Sequence, residues 1–159
     1  MNPRIFLTCL VLLAAGVGAR AGDLAADLAI VVNKAVKLDN VTSADLARYF
    51  KAEKTKAPDG TKFALAALDA GHPEHDAALA GIYAMKEAEY TDYFVEATFT
   101  GAVTAAPKAL PSGAALRKFV ADTAGGLGYL RASEADDTVK VLKIDGVAPG
   151  EAGYKLKIK

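Results

Sequence analysis

Short apolar runs separated by helix-like segments constrain this chain more than any other feature, because that order commits it to a sheet with helices laid across it. Leu28-Ala-Ile-Val-Val32 reads as a buried strand that ends at Asn33. Thr42 or Ser43 then caps a helix to about Phe50, with Asp45 in its first turn. A Pro58-Asp59-Gly60 turn leads into a second strand over Phe63 to Leu68.

Pro73 suits the first turn of a helix whose Ala77, Ala78, Ile82 and Tyr83 line one face, although strand and helix patterns compete in the Ala-rich stretch 64–90. A longer helix over Lys86 to Phe99 carries Tyr90, Tyr93, Phe94 and Ala97 at one-face spacing, a stripe read as packing. Ala102 to Pro111 is an irregular connection. Ser112 caps a further helix to about Thr123, with Leu116, Phe119 and Val120 on one side, and Gly125-Gly126 ends it. Leu127 to Leu130 and Val139 to Ile144 read as strands, and Tyr154 to Ile158 as an edge strand. The expected fold is α/β, an open mixed sheet with helices on both faces, in one domain over residues 22–159.

The N-terminus bounds the setting. Arg4 is followed by an apolar run from Ile5 to Ala19 and then by Ala19-Arg20-Ala21, the order of an export signal cleaved after Ala21. The run is short and glycine-rich for a membrane span, so no stable insertion is expected after cleavage. Cys9 is the single cysteine, so the exported chain has no disulfide, which suits a bacterial periplasm. Without Arg4 and Arg20, 17 basic residues face 19 acidic ones, a formal charge of −2 with no basic footprint for nucleic acid. The lysines at 54, 56 and 62, and at 155, 157 and 159, read as solvated edges.

Several segments recur together in a familiar order: Tyr49-Phe50-Lys51, Pro58-Asp59-Gly60, Phe99-Thr100-Gly101, Gly125-Gly126-Leu127-Gly128-Tyr129, and Val141 to Pro149 with Gly153-Tyr154. In this the chain resembles the substrate-binding proteins of phosphate-type ABC transporters, which have the type II periplasmic binding fold, and in particular their short members of about one lobe. The resemblance covers roughly Leu28 to Leu156. It implies a non-enzymatic protein that captures a small ligand, an oxyanion in the family, with an ABC transporter or another periplasmic protein as partner and no cofactor.

The departures from the family pattern fall at one place. The family sets an arginine at a strand end and Ser-Gly-Thr at the following helix start, where backbone N–H groups and the helix dipole hold the anion. Here the stretch is Leu68-Asp69-Ala70-Gly71-His72-Pro73-Glu74-His75, with Asp69 in the arginine's place. Proline removes a donor, and two carboxylates oppose a phosphate, so loss of the phosphate site is expected.

The candidate ligand contacts are Asn33, beyond the first strand, and Asp69, Gly71 and His72 in the loop. Each has a plainer reading, Asn33 as a turn residue above all. His72, Glu74 and His75 have metal-ligand types, but two histidines at a polar helix start are more often solvated capping residues. No cysteine, Gly-x-Ser-x-Gly elbow or phosphate-binding loop supplies catalytic machinery, and Gly125 to Gly128 precedes a strand, which is the wrong order for a dinucleotide site. Loss of ligand binding, leaving an interaction or regulatory protein, is the main alternative.

Overall fold

The computed structural model describes residues 21–159. The export signal expected over residues 1–21 lies outside the described residues but for its last, Ala21, which begins helix α1 (Ala21–Ala26). Strand β1 (Leu28–Val32) follows and is fully buried at all five positions. A strand covered on both faces has no need of alternation, which is why its sequence is one apolar run.

The chain then forms β2 (Asn40–Val41) and α2 (Ser43–Phe50). Thr42 caps α2, its hydroxyl accepting from the Asp45 amide at 3.1 Å, and Leu46, Tyr49 and Phe50 form the buried face. Strand β3 (Ala64–Leu68) leads through a tight loop to α3 (Pro73–Ala78), which continues as a π-helical turn over Leu79–Tyr83. The competition in the Ala-rich stretch is thereby resolved as strand, then helix. Helix α4 (Glu87–Phe99), strand β4 (Lys108–Leu110), helix α5 (Gly113–Asp122) and strand β5 (Gly126–Arg131) complete the main body. Two short strands, β6 (Lys140–Val141) and β7 (Lys143–Ile144), come last.

The main sheet is mixed, in the order β4-β3-β5-β1-β6. β3 runs parallel to β4 and β5, whereas β1 is antiparallel to β5 and β6. A second, two-stranded sheet pairs β2 with β7 in parallel.

Helices cover both faces, and glycines set their distances. A Cβ on Gly126 would lie 2.7 Å from Val120 Cα, and one on Gly128 would lie 2.9 Å from Leu116 Cδ2. Helix α5 thus rests almost on the backbone of β5, which explains the glycine-rich start of that strand. By the two-residue alternation of a strand, Tyr129 and Arg131 point to the other face, where they meet α3.

Three expectations differ from the structure. Val139 to Ile144 is two short strands in different sheets, because Leu142 donates to Ile30 at the main sheet while Lys143 has turned to Asp39 of the small one. Tyr154 to Ile158 forms a single bridge, Asp27 with Lys157, and no ladder; the Leu156 carbonyl accepts from the Leu28 amide at 3.0 Å, the Tyr154 hydroxyl donates to the Leu28 carbonyl at 2.7 Å, and both side chains are buried. The connection 102–111, read as irregular throughout, contains β4, whose three residues are too few to show a period.

Candidate functional site

The loop Asp69 to His72 joins the end of β3 to α3 at the carboxyl ends of the parallel strands, where open α/β sheets bind ligands. Gly71 adopts a φ of +92°, a conformation that disfavours residues with a Cβ, and so makes the turn. His72 is the N-cap of α3 and half-exposed; its carbonyl accepts from the amides of His75 and Asp76, while its ring makes no cap bond. Asp69 is exposed, and its amide donates to Leu110.

Asn33 does not join this loop. Its side-chain amide donates to the carbonyls of Val120 and Ala121 at 3.0 and 2.9 Å, and its Oδ1 accepts from the Ala35 amide. It therefore satisfies carbonyls in the last turn of α5, which would otherwise lack partners, and its polar atoms are spent on structure.

Glu74 and His75 point inward from α3, and both are buried. One oxygen of Glu74, Oε1, sits 2.8 Å from Nε and 2.7 Å from Nη2 of Arg131 at the end of β5. Nη1 of Arg131 donates to the Ala25 carbonyl at 2.5 Å. The ring of His75 lies between Tyr129 Oη, 2.7 Å from Nδ1, and Glu87 Oε2, 2.9 Å from Nε2. A carboxylate can only accept, so in the neutral ring the proton sits on Nε2 and Nδ1 accepts from the Tyr129 hydroxyl. Burial pushes the Tyr129 phenol well above its ordinary pKa, which keeps that hydroxyl a donor.

These contacts correct the expected metal trio. Glu74 is held by Arg131 and His75 by two partners of its own, so neither is free to turn toward His72. Among the described residues no group of three His, Cys, Asp or Glu side chains is placed to hold a metal ion.

Arg131 was missed in the sequence, where it reads as the start of a polar stretch. The signal was the alternation Tyr129, Arg131 opposite Gly126, Gly128, which places the guanidinium on the α3 face. The fully buried Asp27 was missed as well; its carboxylate accepts from the Gly150 amide at 2.7 Å and pairs with Lys157. The aromatic stripe is packing, as expected: Tyr90 stacks edge-on against Tyr83 and Phe94, each with ring centroids 4.9 Å apart, and against His75 at 5.5 Å.

A strand-end loop, a following helix and an arginine from the next parallel strand together invite comparison with solved structures. An ABC-type phosphate transport receptor from Vibrio cholerae superposes with a TM-score of 0.63 and 20% identity, over 80% of this chain and 50% of its own. A phosphate-transporter type of substrate-binding protein from Clostridium perfringens, solved with phosphate bound, gives 0.68 and 16%, over 85% and 54%. PstS from Borrelia burgdorferi gives 0.64 and 14%, over 84% and 55%. Over the half of them that it covers, the chain has the fold of these proteins.

It spans about half of their length. No protein-family model and no curated protein sequence matches it. Among the described residues no helix is long and apolar enough to cross a membrane.

Proposed function

We propose that this chain is a non-enzymatic, exported periplasmic domain of the solute-binding kind, derived from phosphate-transport binding proteins, in which the protein's own Glu74 has taken the place of the anion. The observation that carries this reading is the pairing of the buried Glu74 with Arg131. Arg131 is a strand-end arginine at the mouth of the loop, the kind of group that grips an oxyanion. Here a carboxylate from the first turn of α3 already occupies two of its nitrogens.

Pro73 supports the same conclusion, because it removes one N–H from the helix start that would cradle the anion. A free phosphate would have to displace Glu74, leaving a buried carboxylate beside a second negative charge, which costs several kcal/mol. What remains for a small molecule or a transporter partner at this edge is the exposed rim of Asp69, Gly71 and His72.

Thermal unfolding with and without millimolar phosphate tests the proposal. A ligand present at about 100 times its dissociation constant stabilises by about 2.7 kcal/mol. The midpoint of the wild-type protein should not move, and that of Glu74→Ala should rise with phosphate as Arg131 is released. A rise in the wild type means the site is open. A folded Glu74→Ala that ignores phosphate means Glu74 was never a substitute for the anion.

A further inference from the structure

At the opposite end of β3 and β4 from the Asp69 loop, two neighbouring hollows form a grooved surface. The larger, about 680 Å³, runs along α4 from its buried to its exposed side and is lined by Tyr90, Phe94, Val95 and Phe99. The smaller, about 290 Å³, is bordered by Lys54, Lys62 and Lys108 with Tyr49 and Phe63. Thr104, Ala105 and Ala106 line both, so the apolar hollow adjoins the lysine-rimmed one.

Three properties distinguish this groove from ordinary surface. Phe99 is 90% exposed and Val95 65%, although both lie on a helix whose other face is core. Scattered single apolar residues are normal, whereas a contiguous apolar channel marks a binding surface. Secondly, no residue lining either hollow carries a carboxylate, in a chain whose acidic and basic residues are equal in number. Thirdly, of the three lysines only Lys54 has a carboxylate partner among the described residues, Asp45 at 3.3 Å. The Lys108 ammonium lies over the Phe119 ring, 5.0 Å from its centroid, and Lys62 is exposed.

We infer that this groove binds a single-chain amphiphile with an anionic head, of the fatty-acid type: the alkyl chain lies along Phe94, Val95 and Phe99, and the carboxylate sits among Lys54, Lys62 and Lys108. The apolar lining supplies the affinity for the chain by removing it and the exposed aromatic surface from water. The lysines supply the choice of head group through charge complementarity. The two requirements are met in two adjoining hollows, one of which a purely polar anion or a purely apolar solute would leave unused. This inference goes beyond the proposed function and uses none of its residues.

Calorimetric titration with dodecanoate below its micelle concentration tests it, with acetate and dodecyltrimethylammonium as probes of head and tail alone. One dodecanoate should bind per chain, while acetate and the cationic amphiphile should not. Lys62→Glu with Lys108→Glu should weaken dodecanoate binding about tenfold, as expected from reversing two exposed charges. Phe99→Ser should weaken it by a similar factor, and since all three side chains are exposed the variants should keep the circular dichroism of the parent. Equal binding of both amphiphiles, indifference to the double charge reversal, or no binding at all overturns the inference. A dimer that Phe99→Ser dissociates, with no uptake of dodecanoate, overturns it in favour of a second copy of the chain. Each result is independent of the phosphate experiment, which reads the other edge of the sheet.

Discussion

Glu74 and Arg131, 57 positions apart in sequence, are joined through a single carboxylate oxygen that bridges two guanidinium nitrogens beneath α3. Glu74 is buried but Arg131 is partly exposed, so Glu74→Ala leaves a charge that water partly solvates and should lower stability by about 1–3 kcal/mol in urea unfolding. The double variant Glu74→Ala with Arg131→Met should lose less than the sum of the single changes. Strict additivity would show that the pair is not coupled.

Asp27 is fully buried between the Gly150 amide and the Lys157 ammonium, tying the start of β1 to the C-terminal segment that never becomes a strand. Asp27→Ala should cost about 1–3 kcal/mol, because the Gly150 amide loses its acceptor while the half-exposed Lys157 can turn to water. Hydrogen exchange should then rise at residues 150–158 ahead of the sheet. A change within experimental error would mean the segment is held by Tyr154 and Leu156 alone.

Two buried tyrosines should respond oppositely to loss of their hydroxyls. Tyr129 donates to His75 Nδ1, and Tyr129→Phe leaves that buried nitrogen unpaired, at a cost of about 1–3 kcal/mol. Tyr83 Oη is buried with no partner among the described residues, so Tyr83→Phe should be neutral or stabilising. Paired denaturant titrations that reverse this order would contradict the hydrogen-bond assignment.

Gly126→Ala places a methyl group 2.7 Å from Val120 Cα and 2.8 Å from Val120 O, atoms of backbone that cannot rotate away. Helix α5 must lift off β5, and a loss of about 1–3 kcal/mol is expected. Gly128→Ala meets the flexible end of Leu116 at 2.9 Å and should cost less. The ranking of the two melting temperatures is the measurement.

Asp145 supplies a pH dependence whose sign is fixed. Its carboxylate accepts from the Ser43 amide at 3.0 Å, the Ser43 hydroxyl at 2.6 Å and Lys155 at 2.9 Å, at the N-terminus of α2. The Ser43 hydrogen bonds lower its pKa from 3.8 to about 2. Since the folded value is depressed, the stabilisation is present above about pH 3.8 and fades as pH falls toward 2. Asp59, held down to about 2 by the amides of Lys37 and Thr61, acts in the same direction. Asp145→Asn should flatten the acid limb of the stability curve. An unchanged limb would assign acid unfolding to other carboxylates.

Local chemistry alone determined much of this protein. The apolar run of β1, the Thr42 and Ser112 caps, and Pro73 at the first turn of α3 each act within a few residues of their own position, so their outcomes are written in the chain order. Loop residues such as Gly71 belong with them, because a left-handed φ is a requirement of one residue. The division of Val139 to Ile144 between two sheets depended on which strands were already in place beside it, and β2 and β4 were too short to carry a period. The site was decided almost wholly by tertiary structure. His72, Glu74 and His75 are neighbours in sequence, yet a helix sends side chains in directions 100° apart, so Glu74 and His75 went to different buried partners and His72 stayed at the surface. Asn33 was drawn to the carbonyls of α5 for the same reason: a part-buried polar group takes whichever partner the packing brings within reach, and a separation of 87 positions hides that partner from any local reading.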